Sequence, residues 1–168
     1  MIQRQLEQLL GLRLSVARRA AGMLNLQFGE PRMFEGALMG EFALHVQCPW
    51  RIESEGTIVT GRDDFDEVHT VGEFAELIDG AELSLAEHRL RELMGSYDPV
   101  TRSIGNASER LVVSSVSVGS CGAAVFELSG GFRLGLFPSG SRSEDWRLFR
   151  PTSDAPHFVI VGGTVEED

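Results

Sequence analysis

Between Phe42 and Ile52 apolar and polar positions alternate without a break. Phe42, Leu44, Val46, Cys48, Trp50 and Ile52 fall on one side, and Ala43, His45, Gln47, Pro49 and Arg51 on the other. A helix would scatter these positions around its circumference, whereas a strand sends successive side chains to opposite faces. The stretch therefore predicts a strand with one buried face. Pro49 has no N–H to give to a ladder, which implies an edge, a bulge or a strand end at that point.

The same period recurs along the chain. Leu12, Leu14 and Val16 alternate with Arg13, Ser15 and Ala17, and Leu24, Leu26 and Phe28 with Asn25 and Gln27, so a hairpin turning near residues 20–22 is expected. Residues 29–40, rich in Gly and containing Pro31, read as a loop or an irregular edge. A turn at Glu55 and Gly56 leads to a short strand through Ile58 and Val59. From Arg110 onward, apolar segments at 110–118, 123–128, 132–137, 146–149 and 157–161 are separated by Gly-rich or Ser-rich turns, the pattern of an antiparallel meander. Residues 163–168 read as a frayed acidic tail.

Helical spacing appears in three places. Ile2, Leu6, Leu9 and Leu10 share one face, and Gly11 can end that helix in a left-handed conformation. Thr70 and Glu73 have capping-box spacing ahead of Phe74, Leu77, Ile78 and Ala81, which predicts a helix over 70–81 closed by Gly80. Ser84 and Glu87 repeat the device before a second helix with Ala86, Leu90, Leu93 and Tyr97 inward and Gly95 at its end. The expected class is α+β: mainly antiparallel strands in a meander or curved sheet, one short N-terminal helix and two short central helices. A chain of 168 residues buries about two-thirds of its surface, and one domain over 1–168 is the simplest organisation, a division near 97–103 being the alternative.

No apolar run reaches the roughly 18 residues of a membrane span, and residues 1–19 lack a secretory pattern, so a cytoplasmic location without membrane contact is expected. Cys48 and Cys121 are too few for a disulfide framework. The net charge of −10 is concentrated: residues 53–98 carry thirteen acids against three Arg, while residues 1–32 carry five Arg against two Glu. Such a balance disfavours nucleic acid, whose recognition depends on neutralising phosphates. It suits one acidic side that steers a basic protein partner, the plainer alternative being solubility.

Candidate sites follow from residue type and position. His45, Gln47 and Arg51 share the polar face of the 42–52 strand, where they would line a pocket for an anionic ligand or form a solvated outer face. Asp63, Asp64, Asp66 and Glu67, with His69 beside them, are the candidate protein contact; an oxygen-rich cluster can hold Mg²⁺ or Ca²⁺, but the spacing and glycine of an EF-hand are missing, so no metal is assigned. His45 and Cys48 point to opposite faces and cannot share zinc. Cys121 sits in a Gly-rich turn with neither a nucleophile elbow nor a base in sequence. No Gly-rich phosphate motif occurs, and no cofactor is implied. Trp50 and Trp146, set among alternating apolar residues, read as core or interface anchors rather than ligand-stacking platforms.

The segments Cys48–Ile52 (CPWRI), Gly61–Asp64 (GRDD), Glu144–Pro151 (EDWRLFRP) and His157–Gly163 (HFVIVGG) together resemble a group of small bacterial proteins carried as domains of unknown function. The resemblance implies a bacterial source and transfers no catalytic residue or substrate. The expected role is non-enzymatic: a protein-binding or regulatory, immunity-like module with an acidic contact surface, or alternatively a small-molecule binder using His45, Gln47 and Arg51. Exposed sheet edges would also suit a homodimer.

Overall fold

A computed structural model describes residues 1–166. The chain opens with α1 (Ile2–Leu6), continued by a 3-10 turn over Glu7–Leu9. Leu6 and Leu9 are buried, Leu10 is exposed, and Gly11 takes a left-handed φ of 78°. β1 (Leu14–Ala20) and β2 (Met23–Phe28) form the predicted hairpin. β3 (Arg32–Phe34) and β4 (Ala37–Met39) pair where composition predicts a loop, because Glu35 and Gly36, both at positive φ, make a two-residue I′-type turn.

The alternating stretch divides into β5 (Phe42–Val46) and β6 (Trp50–Ser54), which belong to different sheets. The one-strand expectation fails at Gln47–Pro49. Gln47 and Cys48 both donate their backbone N–H groups to the Asp145 carbonyl, at 2.8 and 2.9 Å, and Pro49 has none to offer a ladder. The alternation survives the corner: Phe42, Leu44, Val46, Cys48, Trp50 and Ile52 are all 5% exposed or less. One apolar face thus serves two sheets.

β7 (Thr57–Gly61) returns beside β6 and leads into a 3-10 turn over Arg62–Phe65. The helix predicted over 70–81 does not form. Two short ribbons take its place: β8 (Thr70–Val71) with β9 (Phe74–Ala75), and β10 (Leu77–Ile78) with β11 (Ala81–Glu82). Gly72 opens the first turn at φ 66°, and Asp79 and Gly80 form the second at φ 51° and 79°. An Asp-Gly pair in that conformation is the favoured I′ hairpin connection and is incompatible with a continuing helix.

Ser84 caps α2 (Leu85–Met94) by accepting from Glu87 N–H at 3.2 Å, while Glu87 Oε2 accepts from Ser84 N–H at 3.0 Å. Gly95 ends α2 at φ 102°. Tyr97, expected on that helix, lies instead in β12 (Gly95–Asp98), which pairs with β13 (Ser103–Asn106), so residues 97–103 form the tip of a hairpin. β14 (Val113–Val118), β15 (Ala124–Leu128) and β16 (Phe132–Leu136) make the predicted meander. β17 (Glu144–Phe149) and β18 (Phe158–Val161) leave it: β17 pairs with β5. β19 (Thr164–Val165) pairs with β18, so this part of the predicted tail is strand; Glu167 and Asp168 lie outside the described residues.

The larger sheet runs β12-β13-β1-β2-β5-β17-β18-β19 and the smaller β14-β15-β16-β6-β7. Leu24, Leu44, Val46 and Trp146 from the first, and Trp50, Phe126 and Leu134 from the second, belong to one apolar core, joined by Ala86, Leu90, Leu93 and Met94 of α2. The predominantly antiparallel α+β expectation holds with one central helix rather than two. No helix among the described residues is long and apolar enough to cross a membrane.

Candidate functional site

Residues 66–84 leave the 3-10 turn, make the two ribbons and return to the start of α2. Their base is a closed ring of three backbone hydrogen bonds at seven-residue spacing. His69 N–H donates to Leu83 O at 2.9 Å, Glu76 N–H to His69 O at 2.8 Å, and Leu83 N–H to Glu76 O at 3.1 Å. Leu83 is 1% exposed and anchors the ring in the core, and Leu85 N–H donates to Glu67 O at 2.8 Å below it. The ring places the side chains of His69 and Glu76 beside the first turns of α2, which supply His88, Arg91 and Glu92.

These five side chains meet. The imidazoles of His69 and His88 stack with centroids 3.5 Å apart and planes 12° from parallel. His69 Nε2 lies 3.3 Å and His88 Nδ1 2.9 Å from the same oxygen, Glu76 Oε2. Arg91 Nη2 donates to the other, Oε1, at 2.5 Å, and also lies 3.1 Å from His88 Nδ1. Glu92 Oε1 is 3.2 Å from His88 Nε2. Burial pushes the Glu76 carboxyl up, but the hydrogen bond and charge of Arg91, followed by the charges of His88 and His69, outweigh it and hold the group below its ordinary range.

The outward side of the ribbons has the opposite character. Val71, Phe74 and Leu77 are 64, 77 and 58% exposed. Asp66, Glu67, Glu73, Asp79 and Glu82 are exposed around them, and residues 66–82 contain six acids and no Arg or Lys. Of those six, Glu76 alone points into the histidine cluster.

The acids singled out in the sequence separate by role. Asp64 caps the 3-10 turn, its Oδ2 accepting from Thr60 Oγ1 at 2.9 Å and from Gly61 N–H at 3.3 Å. Asp66 pairs with Arg62 at 3.1 Å. Asp63 and Glu67 are exposed, Glu67 at the foot of the ribbons. His69, read only as a neighbour of these acids, belongs instead with Glu76 and His88, which lie seven and nineteen residues further on. The usable signals were His88 and Glu92 one helical turn apart and the Asp79-Gly80 turn that folds Glu76 back.

His45, Gln47 and Arg51 do not converge, because the stretch that carries them changes sheets. His45 faces outward on β5, edge-on to Phe149, whose ring stacks on His157. Burial and then the charge of Arg147 lower the His45 pKa to about 4. Gln47 sits exposed at the corner, where, after Arg147, it helps to hold the Glu144 carboxyl below its ordinary range against the effect of burial. Arg51 is on the other sheet, its Nε 3.4 Å from Glu53, beside a cavity of about 310 Å³ lined also by Trp50, Arg62, Asp63 and Asp64. Cys48 is buried, which pushes its thiol up to about 12, and Cys121 is exposed in its turn. Comparison with protein-family models, curated proteins and solved structures finds no match.

Proposed function

We propose that this chain is a binding module, regulatory or immunity-like in role, that docks a basic protein with apolar contact residues onto the ribbon face of residues 66–82. The observation that carries this reading is the exposure of Val71, Phe74 and Leu77 within a stretch of six acids and no Arg or Lys. Burying a side chain of this kind is worth roughly 1.5–3 kcal/mol, and apolar clusters rimmed by charge mark contact surfaces. The acids choose among partners. They attract a cationic surface at long range, and they would face other acids if a second copy of the same patch were brought up. A basic partner is therefore favoured over self-association.

The test is a comparison of three chains used to capture proteins from the native lysate. The first is the wild type. The second combines Phe74→Ser with Leu77→Ser, and the third replaces Glu67, Glu73, Asp79 and Glu82 by their amides. All four acids are exposed, and asparagine suits the left-handed turn position of Asp79 as well as aspartate does. The third chain should keep the wild-type circular dichroism spectrum. A basic protein should be held by the wild type at low salt, released at moderate salt, and lost or weakened with both variants. A basic partner held equally by all three chains would contradict the reading.

A further inference from the structure

We propose that His69, Glu76 and His88 form a binding site for one divalent transition ion, zinc being the ion their donors suit best. The site lies beneath the docking face and does not depend on it. One donor atom from each of the three residues lies within 4.8 Å of the other two. Zinc binds imidazole nitrogen at about 2.0–2.1 Å and carboxylate oxygen at about 2.0–2.2 Å, so neighbouring donors of a tetrahedral site stand about 3.3–3.5 Å apart. The two histidine-to-carboxylate separations are 3.3 and 2.9 Å. One edge already has the required length, the other must open by a few tenths of an ångström, and the stacked His69 and His88 rings must turn out of parallel so that both in-plane lone pairs meet at the ion.

The surroundings support the same assignment. Arg91 Nη2, which can only donate, lies 3.1 Å from His88 Nδ1, an approach that suits the neutral ring with its proton on Nε2, the form that ligates a metal. Glu92 Oε1 stands 3.2 Å from Nε2, in the place of the outer carboxylate that commonly fixes the tautomer of a metal-binding histidine. Glu76 Oε2, though buried and only 2.9 Å from His88 Nδ1, accepts no hydrogen bond. A cation bound there would give this buried, unpartnered oxygen its partner. Arg91 keeps its hydrogen bond to Glu76 Oε1, as outer partners of ligating carboxylates do, and yields its contact with His88 Nδ1 to the ion. Two imidazoles and one carboxylate suit zinc and its transition-metal neighbours, whereas Ca²⁺ and Mg²⁺ prefer all-oxygen sites. Three protein donors leave the fourth position to solvent.

The experiment is isothermal titration of the full, tag-free chain, first stripped with a chelator, with zinc chloride and separately with magnesium and calcium chloride. The wild type should bind one equivalent of zinc and neither hard cation. His69→Ala and His88→Ala should each weaken zinc by more than about 100-fold, beyond the 10- to 100-fold range of outer-partner losses in which Glu92→Gln should fall. His157→Ala, at an exposed histidine stacked on Phe149 and outside the cluster, should bind as the wild type does. His69 stands at the foot of the ribbons and outside the core cluster, so its variant decides the matter if His88→Ala disturbs α2. A wild type that takes up no stoichiometric zinc would overturn the site, as would a folded His69→Ala chain with wild-type affinity or equal uptake of Ca²⁺. Zinc uptake and partner capture are separate readouts, so either proposal can fail alone.

Discussion

His45 shows how much one residue's surroundings change its chemistry. It lies on the polar side of an alternating strand, yet its ring packs edge-on against Phe149, on which His157 stacks in turn, and it feels the Arg147 charge. Both burial and Arg147 favour the neutral ring, so its pKa falls from the ordinary 6.5 to about 4, a shift that Glu144 opposes. Between those two pH values the unfolded chain takes up a proton that the folded chain refuses. The stabilisation is therefore complete above pH 6.5 and is lost as pH falls toward 4. Urea unfolding of wild type and His45→Gln across pH 7 to 4 should show the stability difference shrinking toward the acid end; a difference independent of pH would mean that the ring titrates normally. Cys48 and Trp50 illustrate residues whose role was readable: both fall on the apolar side of the alternation, and both are buried.

At the scale of elements, the two capping-box sequences are the instructive pair, because they look alike and fold differently. Ser84 and Glu87 exchange their reciprocal hydrogen bonds and start α2, whereas Thr70 and Glu73 lie in an exposed ribbon. The residues downstream of each cap make the difference. Ten residues without Gly come after Ser84, while Gly72 and Asp79-Gly80 punctuate the segment after Thr70 with positive φ. Ser84→Ala should therefore cost about 1 kcal/mol of stability, and Thr70→Ala should stay within about 0.5 kcal/mol. Thermal unfolding checks both, and equal losses would restore a helix at 70–81. The histidine site was hidden for the same reason: a helix over 70–81 separates Glu76 from His69, and two ribbons bring them together. Strand positions were legible because burial on one face forces a period of two, and that period is local. Sheet membership was not, because nothing in β17 or β18 states which neighbour they will take, and only the corner at Gln47–Pro49 hints that the chain changes layers.

Across the whole molecule, charge and layering are arranged separately. The core is shared by both sheets and α2, while the thirteen acids of residues 53–98 are spread from the end of β6 through the ribbons and α2 to β12. The ribbons add little to that core, since Val71, Phe74 and Leu77 face solvent, and a segment with few buried contacts is free to be shaped by what binds it. The acidic stretch was legible from charge counting; its apolar centre was not, because Phe74 and Leu77 read as the buried stripe of a helix. Whether this face meets a basic partner is decided by amide hydrogen exchange, compared between the free chain and the chain bound to the captured basic protein. Protection on binding should be concentrated in residues 66–84. Unchanged exchange there, with protection centred instead on the outer face of β5 and β17, would contradict the docking face.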